Sequence, residues 1–153
     1  MQNSNRNNNI TRGKKSRTPP YKILFVDDEK DITMSIKSGL EDTGLFSVDT
    51  YNDPQLALSN FKPDFYDLYL IDIKMPQMNG FELYQKLKNM EEKKEEDIKV
   101  CFITAYEIYY EILKKEFPGL DVGCFITKPI EIQNLVKRLR QELSLSLSSS
   151  EEK

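Results

Sequence analysis

Five side chains of complementary chemistry stand at the ends of apolar runs in this sequence: the acid pair Asp27-Asp28, the acid Asp72, the hydroxyl of Thr104 and the amine of Lys128. Carboxylates brought within about 4 Å of one another repel by roughly 4 kcal/mol per pair at an effective dielectric near 20, so such a cluster needs a cation or must take up protons. A hard divalent ion meets that need. Oxygen donors without histidine or thiolate favour Mg2+, or Mn2+, over zinc, and an octahedral ion held by few carboxylates keeps positions open for phosphate oxygens. Lys128 then offers a point charge and Thr104 a hydrogen bond to a phosphate, which leaves Asp72 as the candidate nucleophile for in-line phosphoryl transfer.

The chain must bring these residues together, and its periodicity shows how. Ile23-Leu24-Phe25-Val26 is an unbroken apolar run ending at Asp27-Asp28, and Leu68 to Ile71 is another, ending at Asp72 before the turn Lys74-Met75-Pro76-Gln77-Met78-Asn79. Runs of this length read as strands buried on both faces, as in a parallel sheet. Ser47 to Tyr51, Ile98 to Ile103 and Val122 to Ile126 complete a set of five strands. Between them lie helical patterns: Ile32, Ile36 and Leu40 up to Gly44, a helix capped by Asp53-Pro54, a helix opened by Gly80, one from Tyr106 to Phe117 stopped by Pro118-Gly119, and one carrying Ile132, Leu135, Val136, Leu139 and Leu143. The charge run Glu91 to Asp97 reads as a solvated loop or helix end. Strands alternating with helices imply right-handed crossovers and an α/β, doubly wound, open parallel sheet of five strands with five helices on its two faces. The polar strand ends then share one edge, where open α/β sheets bind their ligands.

Composition bounds the remaining possibilities. The 153 residues contain no histidine, which removes Ser/His and Cys/His nucleophile pairs and makes a zinc site unexpected. Cys101 and Cys124 fall inside apolar strands, not in a metal-binding spacing, and are expected as buried, reduced thiols. No apolar run is long enough to span a bilayer and residues 1–20 lack a signal-peptide centre, so the expected compartment is the cytoplasm. Arg6, Arg12, Lys14, Lys15 and Arg17 give residues 1–20 a charge of +5; the whole chain carries −3, so the remainder carries −8. The acidic body is a poor nucleic-acid ligand, and only the basic, Asn-rich arm of residues 1–20, expected to be disordered, offers contact with an anionic surface. Residues 144–153 form a Ser-rich tail of low complexity, with no DNA-binding output domain expected beyond residue 143.

Asp27-Asp28 after the first strand, Asp72 followed by Met75-Pro76 and Gly80, Thr104-Ala105, and Lys128-Pro129 together resemble the receiver (response regulator) domain of two-component signalling, in its stand-alone form, over residues 21–143. The resemblance implies the flavodoxin-like strand order 2-1-3-4-5. It implies Asp72 as phosphoacceptor, with Asp28, Asp72 and the main-chain carbonyl of Lys74 as Mg2+ ligands and Asp27 acting through a metal-bound water. Thr104 resembles the switch hydroxyl, Phe125 the switch aromatic and Lys128 the phosphate-pairing lysine, on a Lys128-Pro129 bond expected to be cis. For Phe125 a plain core role stands equally open.

The function expected on this basis is phosphorelay. A phosphoryl group reaches Asp72 from a sensor histidine kinase or a histidine phosphotransfer protein and switches a surface that binds a downstream protein target. The protein is then a phosphoacceptor switch, not an enzyme acting on other substrates. Lys74 and Tyr106, two residues past the acceptor and the switch threonine, flank the path of a hydrolytic water, so a long-lived aspartyl phosphate is expected. Two rivals differ in class. A haloacid dehalogenase-like phosphatase also uses an aspartyl phosphate with magnesium but carries its nucleophile on the first strand with a second acid two residues on. The other is a receiver-fold scaffold whose partner binding ignores Asp72.

Overall fold

In a computed structural model of the chain, residues 18–105, 108–116 and 124–143 are described; most of the basic arm, Tyr106, Pro118-Gly119, Val122 and the tail from Ser144 lie outside the described residues. Five strands, β1 (Tyr21–Val26), β2 (Phe46–Tyr51), β3 (Leu68–Asp72), β4 (Val100–Thr104) and β5 (Cys124–Thr127), form one parallel sheet in the order β2-β1-β3-β4-β5. They alternate with α1 (Lys30–Asp42), α2 (Pro54–Ser59), α3 (Gly80–Met90), α4 (Ile108–Glu116) and α5 (Ile132–Glu142).

The sheet is apolar on both faces because consecutive strand residues point to opposite sides. Leu24, Val26, Tyr69, Ile71 and Phe102 join Leu83, Tyr84 and Leu87 of α3 and Ala57 of α2 in one core. Ile23, Phe25, Leu68, Leu70 and Ile103 join Ile36 and Leu40 of α1 and Leu135 and Leu139 of α5 in the other. α1 and α5 meet closely: a Cβ on Gly39 would lie 2.6 Å from Ile132 Cδ1. The helix ends follow local chemistry. Asp53 caps α2 by accepting from Gln55 N at 2.9 Å, and Gly44, at φ 78°, terminates α1.

One expectation needs correction. Cys101 and Cys124 are not separate thiols: the β4–β5 register sets them side by side with Cα atoms 4.5 Å apart, and they are joined as a disulfide. The cause is tertiary, since nothing in the local sequence fixes that pairing. The charge run is largely exposed just past the end of α3, as expected, but it is also tethered. It contains a single turn of 3-10 helix, Glu95–Asp97, and Glu91 accepts hydrogen bonds from the buried Tyr69 hydroxyl and from Asp64 N. Burial and that carboxylate raise the Tyr69 pKa, and Lys93 Nζ donates to Tyr66 O at 2.6 Å, so the segment is fastened to the core at two points.

Candidate functional site

Parallel pairing aligns the carboxyl ends of the strands, so the site is assembled by register. Asp72, the last residue of β3, faces Ile103 of β4, and Thr104 follows one residue on. Thr104 faces Thr127 of β5, and its carbonyl accepts from Lys128 N at 2.8 Å. Asp27 continues β1, its N–H donating to Tyr51 O at 3.1 Å. Asp28, Glu29, Asp72, Lys74, Met75, Pro76, Thr104, Ala105 and Lys128 thus line one open cleft of about 440 Å³.

Within it, carboxylate oxygens of Asp27, Asp28 and Asp72 all lie within 4.8 Å of one another. Asp27 and Thr104 are fully buried and Asp72 nearly so. The Lys128 ammonium reaches into the group at 2.8 Å from Asp27 Oδ2, 3.3 Å from Glu29 Oε1 and 3.6 Å from Asp72 Oδ1. Its nearest partner is Asp27, not Asp72. The Lys128-Pro129 bond is cis.

Electrostatics follow from crowding. Burial, then the charge of Asp27, pushes the Asp72 carboxyl up to about 7, with Lys128 pulling the other way. Burial also raises Asp27, against the adjoining Lys128 ammonium and the Glu29 N–H. For Lys128, burial opposes the charge, but the Asp27 carboxylate against which the ammonium lies, with Asp72 and Glu29 around it, outweighs that and holds its pKa above the ordinary value. Asp27 Oδ1 accepts from Glu29 N at 2.9 Å, whereas the buried Oδ2 has the ammonium beside it and no hydrogen bond of good geometry. An under-satisfied, buried carboxylate oxygen among three acids and one amine fits a hard cation. The second cluster with ligating atoms among the described residues, Cys101, Cys124 and Glu142, does not, because its sulfurs are bonded to each other.

The loop after Asp72 is built to present that residue. Met78 N donates to Pro76 O at 2.7 Å around Gln77, whose φ of 71° closes a tight turn. Asn79 and Glu82 form a reciprocal capping box at the start of α3, with bonds of 2.9 and 3.0 Å. Met75 and Met78 are buried and anchor the loop in the core. Gly80 N donates to Ile73 O at 2.8 Å, and a Cβ at Gly80 would stand 2.4 Å from the Asp72 carbonyl oxygen. The close atom is backbone, so a shift to admit a side chain is costly. Gly80→Ala is therefore expected to displace the end of β3, costing about 1–3 kcal/mol in denaturant unfolding and shifting the amide resonances of Asp72 and Ile73.

Asp27, Asp28, Asp72, Thr104 and Lys128 are all brought together as the sequence predicts, and Lys74 lies exposed at the cleft. Phe125 is half-buried opposite Phe102 and packs against the core on the α3 side of the sheet. Tyr106 lies outside the described residues. Two residues were missed. Asn52, just past β2, donates to the Asp27 carbonyl at 2.8 Å and to Thr33 Oγ1 at 2.9 Å, tying the acid pair to α1. Glu29 shares Lys128. The signal for both was position alone: polar residues at the same sheet edge.

Known proteins match this arrangement. The profile of the response regulator receiver domain family matches residues 23–140. Response regulator Rre1 of Synechocystis is 31% identical over 134 residues, covering 86% of this chain and 55% of that protein. A CheY-like receiver domain protein from Methanospirillum hungatei superimposes with a TM-score of 0.68 at 26% identity, covering 84% of this chain and 98% of its own. Response regulator TrrA of Thermotoga maritima, solved in complex with Mg2+-BeF, gives 0.64 at 26% identity, covering 79% and 97%. The chain spans about half the length of the curated relatives it matches.

Proposed function

Because the chain belongs to the response regulator receiver domain family of two-component systems, we propose that it accepts a phosphoryl group on Asp72 from a phosphohistidine of a sensor kinase or histidine phosphotransfer protein. The observation that carries this reading is the convergence of Asp27, Asp28, Asp72 and Lys128 on one cleft, with Asp72 at the end of the central strand. An Asp72 oxygen attacks phosphorus as the bond to the donor nitrogen breaks, and the electron pair leaves with the imidazole. A Mg2+ ion held by Asp28, Asp72 and the Lys74 carbonyl, with Asp27 acting through water, would neutralise the carboxylates and the incoming phosphoryl oxygens. Lys128 turns from Asp27 toward the new charge, and the Thr104 hydroxyl donates to a phosphoryl oxygen. That draw on β4, transmitted beside Phe125, biases the surface of α4, β5 and α5 for a protein target. No described helix is long and apolar enough to cross a membrane.

Lys74, exposed at the cleft, shields the phosphoryl group from water, which gives the phosphorylated form a long lifetime. After single-turnover labelling by acetyl phosphate with Mg2+, the adduct is expected to outlast a minute and to shorten in Lys74→Ala. Loss within seconds from the wild type contradicts the shielding. Turnover of a generic phosphomonoester is not expected, since the candidate nucleophile stands on the third strand, and partner binding unchanged by Asp72→Asn would favour a scaffold instead.

A further inference from the structure

Glu29 breaks a local rule. It is the N-cap of α1, its carbonyl accepting from Ile32 N and Thr33 N at 3.1 Å each, yet its side chain makes no capping bond. N-caps favour Ser, Thr, Asp or Asn because a short side chain can accept from the first-turn N–H groups. The longer Glu29 side chain reaches the other way, across the cleft to Lys128 at 3.3 Å, though it is 61% exposed. A local preference given up for a contact in a site marks function more often than stability.

We propose that Glu29 is a positioning residue for Lys128, holding the ammonium at the cleft mouth in the unphosphorylated protein and opposing the entry of anionic phosphodonors. The proposal rests on the reading of Asp72 as phosphoacceptor. Lys128 is nearer to Asp27 and to Glu29 than to Asp72, so it must leave both to meet a phosphoryl group there. Glu29 opposes that movement and adds negative charge where the donor enters. With acetyl phosphate, the bond from an Asp72 oxygen to phosphorus forms as the phosphorus–oxygen bond to acetate breaks, and acetate leaves with the electron pair. Phosphoramidate transfers in the same way with ammonia leaving, from a less negative donor.

The experiment follows adduct formation on the full chain with Mg2+ and each donor, in the wild type, Glu29→Gln and Glu29→Ser. Serine restores a capping side chain, so a general loosening of α1 would separate the two variants. Both are expected to react about 3- to 10-fold faster with acetyl phosphate at low ionic strength, the gain falling below about twofold near 0.5 M salt. The gain with phosphoramidate is expected to be smaller, and the Lys128 ammonium resonance of the unphosphorylated protein is expected to shift in both variants. Equal rates at every salt concentration, with the wild-type adduct present, overturn the role of Glu29 alone. Absence of any adduct from the wild type overturns the phosphoacceptor reading and this one with it.

Discussion

Asp72→Asn is expected to stabilise the metal-free protein at pH 8, the reverse of what loss of an active-site residue from a packed core usually does. Asp72 is nearly fully buried beside Asp27, and its carboxyl is raised from 3.8 to about 7 by burial first and the neighbouring charge second. For an acid raised on folding, the native state prefers the protonated form. The cost of the charge is absent below the unfolded pKa, grows as pH rises through the interval between about 4 and 7, and is constant above it. Each unit is worth about 1.4 kcal/mol, and with allowance for coupling to Asp27 and Lys128 the amide should gain about 2–4 kcal/mol at pH 8. That corresponds to a Tm higher by on the order of 10 °C. Thermal unfolding at pH 8 and pH 4, each with chelator and with millimolar Mg2+, checks it. The gain should vanish at pH 4, and with Mg2+ it should shrink or reverse because the carboxylate then has its partner. Destabilisation at pH 8 in chelator would show that Asp72 is held by contacts other than those described.

Lys128→Ala should act in the opposite direction. The ammonium is the cation shared by Asp27, Asp72 and Glu29, and Asp27 Oδ2 has no other contact of comparable strength. Removing one partner of a buried pair commonly costs 3–5 kcal/mol when the other charge stays uncompensated. Here protonation of Asp27 and Asp72 relieves part of that, so about 2–4 kcal/mol is expected at pH 8. The sign with pH follows from both groups. Lys128 has a raised pKa, so its contribution is fully present below the unfolded lysine pKa and is lost only as pH rises through the higher folded value. The carboxylates it serves are protonated at little cost in acid, so the penalty of the substitution should shrink toward pH 4. Combined with Asp72→Asn, the lysine substitution should cost less than alone, a coupling that a double-mutant cycle measures directly.

The two stability effects show why the fold was legible and parts of the site were not. Strands apolar on both faces, such as Leu24 with Phe25 or Leu70 with Ile71, can only lie inside a parallel sheet, and their polar ends are then forced onto one edge. Asp27, Asp72, Thr104 and Lys128 could be read because each interrupts such a run. Asn52 and Glu29 interrupt nothing: one follows a strand of alternating pattern and the other extends an acid pair, so only the tertiary structure shows that they hold Asp27 and Lys128. The Cys101–Cys124 pairing depends on register between β4 and β5, which hydrophobic pattern alone does not specify to the residue. The same holds for Glu91, whose bond to Tyr69 spans 22 positions and hides inside a charge run.

The central claim is that Asp72 takes the phosphoryl group with a divalent ion's help, and it is tested most directly by acetyl phosphate labelling followed by intact mass and peptide mapping. With Mg2+, wild-type protein should gain one phosphoryl adduct that maps to the peptide carrying Asp72 and is lost in base. Chelator, or Asp72→Asn, should abolish it. An adduct that persists in Asp72→Asn, or its absence from the wild type, would contradict the account.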